Sequence, residues 1–249
     1  SKVGDYLPVQ IGMPVHEWLN NGLIGGYGAN ADLDLDGPLA KFPFESGGGR
    51  FYIDADIQDA KLLYVKNWPT LDNLYGKFKI RNVAIIIETS SGKIYGNSIN
   101  KAQVTIPDMT AHGVYLVADG IASGTTPNFM GYLQKTPINE LIGNIADKLS
   151  GTGNGQVSIH LKVPFDNPNK TTVAGDYNFI SNSLKFDLPV PELEDVNGVL
   201  HFTEKGIKID KIRAIALDSN AELSANTEAN GTMHFTVHSP NLDYAKLSK

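Results

Sequence analysis

Apolar and polar residues alternate one by one along most of the chain. Between residues 50 and 58, Phe51, Ile53 and Ile57 fall on one face, whereas Asp54 and Asp56 fall on the other. The same period of two recurs in GQVSIHLKV at 155–163 and in TMHFTVHS at 232–239. Such alternation is typical of antiparallel strands with one dry and one wet face. Turn-forming sequences separate the runs, so the pattern predicts a mainly β chain built as a long antiparallel meander.

Two segments carry helical spacing instead. Residues 14–22 (PVHEWLNNG) begin with proline and end with glycine, which is typical of a short helix. Residues 127–149 place apolar side chains three and four positions apart, but Pro137 interrupts them. Because proline breaks a helix, we expect two helices or one kinked helix there.

The sequence also repeats itself. KFPFESGGG at 41–49 matches KVPFDNPNK at 162–170, and WPTLDNLYGKFKI at 68–80 matches VPELEDVNGVLHF at 190–202, so the offset is 121 or 122 residues. Repetition at this scale indicates units that share one continuous apolar face. We predict an N-terminal segment with a short helix (1–22), a first β repeat (23–126), a kinked helical insert (127–149) and a second β repeat (150–249), with about five strands in each repeat.

Composition narrows the classes of function. The 249 residues carry 21 basic and 27 acidic side chains and no basic cluster, which argues against nucleic acid as a partner. The absence of cysteine excludes disulfides and thiol chemistry. The longest apolar run, 83–87, is too short to span a bilayer. Because the chain opens at Ser1 without a targeting segment, we expect it to be a piece of a longer protein.

Motifs for chemistry are weak. Asp32–Gly37 resembles half of a calcium loop, but the leucines between the aspartates favour a strand with a wet aspartate face. The glycine clusters at 26–28 and 151–155 are interpreted as flexible entries into the two repeats, because neither stands between a strand and a helix of a phosphate-binding unit.

No pattern points to a catalytic or metal centre. His234 and His238 share a strand face but lie roughly 13 Å apart, too far to share one metal ion. The sequence has no nucleophile elbow, and the carboxylates Glu192 and Glu194 sit in a turn beside Pro191 and are interpreted as solvated. We therefore predict that the chain is not an enzyme and uses no metal and no cofactor.

The pattern does pose a problem of burial. The pattern predicts about a dozen strands with one apolar face, but only about three short helical stretches that could cover those faces. Each large aliphatic side chain left exposed forfeits roughly 1.5–3 kcal/mol. Either the sheet closes on itself as a sandwich that spaces or docks envelope partners, or it leaves a groove for an apolar ligand. A third hypothesis is a glycan-binding β protein that uses the aromatic side chains Tyr27, Tyr52, Trp68 and Tyr132.

Several stretches resemble the YhdP family, AsmA-like proteins of Gram-negative bacteria that are related to TamB. The second half carries VPFDNP at 163–168, GDYNF at 175–179, NSL at 182–184 and VNGVLHFTEKGI at 196–207. The first half carries YLPV at 6–9, WL at 18–19, GPLAKFPF at 37–44 and WPTL at 68–71. The resemblance covers about 6–223, is weakest in the helical insert, and rests on turns and strand starts.

The resemblance implies a twisted, groove-shaped antiparallel sheet, a repeating β-groove with a few short helices. Members of the family are much longer, are anchored in the inner membrane and cross the periplasm. Their apolar lining is thought to conduct phospholipid acyl chains between the inner and outer membranes, which the rest of the parent chain would reach. A dry trough without polar anchors would lower the barrier of about 0.8 kcal/mol per methylene exposed to water.

The predicted lining consists of apolar residues on the dry faces of the strands, each of which has ordinary core packing as its alternative role. The predicted helical insert either lies in the trough as a plug or gate, or covers one end. The lining residues are Phe51, Ile53, Ile57, Leu62, Tyr64, Phe78, Ile80, Val157, Ile159, Leu161, Phe179, Leu184, Phe186, Leu200, Phe202, Ile207 and Ile209.

Overall fold

The computed structural model describes residues 13–167, 170–187 and 191–241, without the side chains of 13, 14 and 141. The resemblance at 6–9 and the ends of the predicted first and last segments lie outside these residues. The strands are β1 Leu23–Asp36, β2 Arg50–Leu62, β3 Leu71–Arg81, β4 Ala84–Ile94, β5 Asn97–Ile106, β6 Tyr115–Thr125, β7 Leu149–Pro164, β8 Thr172–Phe186, β9 Leu193–Thr203, β10 Gly206–Ala216, β11 Ser219–Thr227 and β12 Met233–His238. The helices are α1 Met13–Gly22, α2 Thr126–Gln134, α3 Ile138–Leu141 and α4 Ile145–Lys148.

The twelve strands form one antiparallel sheet in which every strand pairs with its neighbours in the chain, from β1 to β12. The predicted mainly β meander is therefore confirmed. Within the described residues the sheet stays open, with β1 and β12 as its edges. The closed sandwich is therefore wrong, because a sandwich consists of two separate sheets packed face to face, whereas the described strands form one continuous open sheet.

The chain divides into two compact units. Unit 1 comprises residues 1–94, 98–121 and 160–172, and unit 2 comprises residues 95–97, 122–159 and 173–249. The repeat boundaries drawn from the sequence stay a prediction.

The duplication in the sequence has a counterpart in the strands. Each of β2, β3, β4 and β5 begins 122 residues before β8, β9, β10 and β11, respectively. The pairing register of β2 with β3 shifts between Ile57 and Ala60, and that of β8 with β9 shifts between Phe179 and Asn182, again 122 residues later. A β-bulge is a specific backbone feature, so its recurrence supports a duplicated unit. With β1 and β6 matching β7 and β12, each copy has six strands rather than the five predicted.

Both predicted helical segments are helical. The predicted helix at 14–22 is α1, and the insert is broken into α2, α3 and α4, with Pro137 just before α3. The hydroxyl of Thr125 accepts a hydrogen bond from the Asn128 amide and caps α2, and proline follows in its first turn. Among the described helices, none combines the length and the apolar character needed to cross a bilayer.

In unit 1, part of the dry side of the sheet is covered by residues of the chain itself. Val15, Trp18 and Leu19 form the apolar stripe of α1, and the Trp18 indole donates a hydrogen bond to the Tyr64 carbonyl over 2.9 Å. The loop between β1 and β2 adds Phe44, which is fully buried. These groups belong to one core cluster with side chains of β2 to β6, so part of this face is already filled.

Unit 2 has its own core, and helices again contribute to it. Phe129 of α2 and Ile145 of α4 are buried. Strands β8 to β11 supply the other buried side chains, among them Leu184, Val196 and Ile212.

Candidate apolar lining of the sheet

One row of apolar side chains crosses the first four strands of unit 1. In register, Leu33 of β1 lies opposite Ile53 of β2, Ile53 opposite Ile80 of β3, and Ile80 opposite Ile85 of β4. Side chains directly opposite each other in a sheet point to the same face. Ile80 and Ile85 are fully buried and Ile53 is half-buried, whereas Leu33 is 65% exposed. The apolar row therefore runs out of the core into solvent at β1.

A second row repeats this gradient. Leu35 of β1, which is 46% exposed, lies opposite the buried ring of Phe51. The sequence prediction missed Leu33 and Leu35, although their alternation with aspartates was the signal that could have revealed them.

The aspartates of the same strand lie on its other face, as the strand interpretation of Asp32–Gly37 predicts. Asp34 accepts a hydrogen bond from Arg50 over 3.2 Å. No group of three potential metal ligands occurs among the residues that the structure describes.

In unit 1, the predicted lining residues separate by depth. Phe51, Leu62 and Ile80 are buried, so they pack as core. The others are partly accessible, and they are Ile53, Ile57, Tyr64, Phe78 and Leu161.

The lining residues of unit 2 separate in the same way. Phe179, Leu184, Ile207 and Ile209 are buried. Those that keep partial exposure are Val157, Ile159, Phe186, Leu200 and Phe202.

The opposite face of the sheet in unit 1 is wet and charged. Arg81 donates to Asp54 over 2.6 Å and lies 5.0 Å from the centre of the Tyr52 ring. The hydrogen bond from Arg81 holds the pKa of Asp54 below its usual range. Exposed ion pairs of this kind contribute little stability, so their role is to keep this face in water.

The aromatic side chains of the glycan hypothesis are partly used inside the fold. The Tyr52 ring stacks under Arg81, and Trp68 meets Tyr64 edge to face at 5.7 Å. Tyr27, in contrast, is 75% exposed, and it lies opposite Gln58, on the face away from Leu33.

Unit 2 holds buried polar side chains on its apolar face, which the sequence analysis did not predict. Thr126, Tyr177 and Asn182 are all buried. The hydroxyl groups of Thr126 and Tyr177 lie 2.8 Å apart, and the Thr126 hydroxyl also donates to Asn182 Oδ1. These polar groups are buried and hydrogen-bond to one another, so the expected absence of polar anchors in the groove stays a prediction.

The glycine cluster at 151–155 makes room for these side chains. It lies inside β7 rather than at a flexible entry, and the cluster at 26–28 lies inside β1. A Cβ at Gly153 would come within 2.8 Å of the Asn182 Cα, and a Cβ at Gly155 would overlap the Tyr177 hydroxyl. The glycines are therefore explained by close packing against β8.

Stability at high pH should depend on Tyr177. Burial raises the pKa of this phenol to about 12. The usual value is near 10, so above pH 10 the folded state holds a proton that the unfolded state loses. The free energy of unfolding should then fall between pH 10 and 12, by roughly 3 kcal/mol at most. In Tyr177→Phe this part of the fall should be absent.

Urea unfolding of both proteins at pH 9, 10 and 11 measures this difference. Tyr27→Phe is the matched control, because its ring is exposed. An equal pH dependence in the Tyr177→Phe variant and the parent would contradict the assignment.

Comparison with known proteins identifies the family of this chain. The curated "Intermembrane phospholipid transporter YhdP" of Escherichia coli (strain K12) is 24% identical over 217 residues, which are 86% of this chain and 17% of that protein. The chain thus spans about a sixth of the length of this relative. No solved structure matches. The family model described as "YhdP protein" matches residues 1–249, so this chain belongs to the YhdP family.

Proposed function

We propose that this chain is a periplasmic segment of a bridge-like transporter that conducts phospholipid acyl chains along an apolar β-groove between the inner and outer membranes. The exposure of Leu33 and Leu35, in register with buried core residues, is the observation that carries this proposal. Two large side chains left in water on a dry face are costly unless a ligand covers them. A relative named as a phospholipid transporter makes an acyl chain the ligand of choice.

The mechanism is physical and needs no reactive group. An acyl chain forfeits about 0.8 kcal/mol for each methylene that leaves the bilayer for water, and contact with aliphatic side chains restores much of this free energy. The accessible residues contact the hydrocarbon, namely Leu33 and Leu35 and the partly exposed members of the predicted lining. The buried members support them from behind as core.

A passive apolar surface cannot by itself set the direction of transport or reach the two membranes. We assign the anchor in the inner membrane, the contact with the outer membrane and the direction of transport to parts of the parent chain beyond this segment. The phospholipid headgroup stays in water, because its charge is costly to bury without a partner.

Mass spectrometry of organic extracts tests the proposal. One preparation is purified from cells without detergent and extracted directly. A second is refolded without lipid and then mixed with vesicles of phosphatidylethanolamine and phosphatidylglycerol. Phospholipid should co-purify with the first preparation and be taken up by the second. Folded protein that carries no phospholipid in either preparation would overturn the proposal.

A further inference from the structure

Helix α2 is attached to unit 2 by a directional chain of hydrogen bonds. The single hydroxyl proton of Thr126 is donated to Asn182 Oδ1, so the Tyr177 hydroxyl must donate to Thr126. Asn182 in turn donates through Nδ2 to the Asn154 carbonyl over 2.7 Å. Each of these three side chains therefore has at least one hydrogen-bond partner, which offsets the cost of burying it.

Apolar contacts reinforce the attachment on the same strand. The ring of Phe129 in α2 meets the Tyr177 ring edge to face, with centroids 5.2 Å apart, and the Tyr177 ring meets that of Phe179 at 4.7 Å. Aromatic pairs at these separations stabilise beyond the area they bury. The helix therefore lies against β8 through both polar and apolar contacts.

The turn between β4 and β5 holds the other side of α2. A Cβ at Gly131 would lie 2.6 Å from the Tyr95 ring, and a Cβ at Gly96 would lie 2.8 Å from the Asn128 side-chain nitrogen. Glycine at both positions permits this close approach. The helix is thus packed between the turn and β8, two parts of unit 2.

The first repeat has no counterpart of the polar chain. The positions 122 residues before Tyr177 and Asn182 are Ala55 and Ala60. The bulge at Ala60 is otherwise the same as that at Asn182. The polar side chains are therefore particular to the repeat whose apolar face carries α2.

We propose that Tyr177, Thr126 and Asn182 form a lock that holds α2 permanently over β8 and closes the face beneath it to acyl chains. The inference rests on the proposed function. Helix α2 is then a fixed cover of β8 rather than a gate. The three residues act by positioning this helix. Hydrocarbon in unit 2 is then confined to uncovered side chains such as Leu200 and Phe202, and Phe179 serves as core.

Amide hydrogen exchange of α2 tests the lock in the purified chain, with and without vesicles of phosphatidylethanolamine and phosphatidylglycerol. In the unsubstituted chain, α2 should exchange as slowly as β8, and vesicles should not change its rate. In Asn182→Ala, which installs the residue of the first repeat, α2 should exchange at least about tenfold faster. Vesicles should accelerate it further, which a merely structural role would not produce.

Asn178→Ala is the matched control, because Asn178 lies on the exposed face of β8. Its exchange should equal that of the unsubstituted chain. Unchanged exchange of α2 in Asn182→Ala, or vesicle-induced exchange of α2 in the unsubstituted chain, would overturn the lock.

A cysteine pair keeps the test valid if Asn182→Ala does not fold. The chain contains no cysteine, so Thr126→Cys with Asn182→Cys can form only one disulfide within a chain, and the monomer is isolated for the test. Exchange of α2 should be slow in the oxidised form and fast in the reduced form, and equal rates would contradict the lock. If no preparation takes up phospholipid, the proposed function fails, while the comparison without vesicles still decides whether the helix is locked.

Discussion

Ile80→Ala is expected to lower the free energy of unfolding by about 2–5 kcal/mol, whereas Leu33→Ala should change it by about 0.5 kcal/mol or less. The two side chains belong to one apolar row, but Ile80 is fully buried and Leu33 is 65% exposed. Truncation of Ile80 leaves a cavity in the core cluster of unit 1. Truncation of Leu33 removes a side chain that mostly touches water.

Urea denaturation of the two variants and of the unsubstituted chain measures this contrast. The slope of the free energy against urea concentration should stay constant, so that the midpoint reports stability. A loss at Leu33 as large as the loss at Ile80 would show that β1 is covered in solution. The exposed leucines would then no longer argue for a bound ligand.

Replacement of both exposed leucines by aspartate should reduce phospholipid uptake at least about tenfold. Each leucine offers up to roughly 1.5–3 kcal/mol of apolar contact to an acyl chain, and about 1.4 kcal/mol corresponds to a factor of ten in binding. A carboxylate in the same place also resists desolvation by hydrocarbon. The variant carries five consecutive aspartates at 32–36, which repel one another, so its free energy of unfolding is measured beside its uptake and uptake is compared only where the variant is folded.

Uptake is measured as phospholipid bound per chain after incubation with the vesicles described above. Tyr27→Asp is the matched control, since it replaces an exposed apolar residue of the same strand on the opposite face. This variant should bind as much phospholipid as the unsubstituted chain does. Equal losses in both variants would point to a general effect of charge on β1 and against a lipid-binding face.

The sequence predicted the sheet well because alternation by two and the turns between strands are local properties. The β2 pattern from Phe51 to Ile57 already separates the two faces that the structure shows, and Pro14 and Gly22 mark α1 closely. The repeat was visible because the bulges and turns demand particular residues. Thus Gly76 and Gly198, matched in sequence, both lie where a Cβ would crowd the neighbouring strand.

Depth was not predictable in the same way. Phe51 and Ile53 have the same pattern, yet only Phe51 is buried. Burial depends on which other segment covers a side chain, and the alternation within β2 indicates neither α1 nor the loop at Phe44 as its cover. The polar chain of Thr126 and Asn182 escaped notice for the same reason, because 56 residues separate its members.

The most direct measurement is photo-crosslinking of phospholipid in cells by the full-length parent protein. A photoreactive amino acid replaces Leu33 in one variant and Tyr27 in another, so that one probe lies on each face of the same strand. Capture of phospholipid at Leu33 and none at Tyr27 is the predicted result. Equal capture at both positions, or none at Leu33 in a folded and functional protein, would contradict acyl-chain conduction along the apolar face.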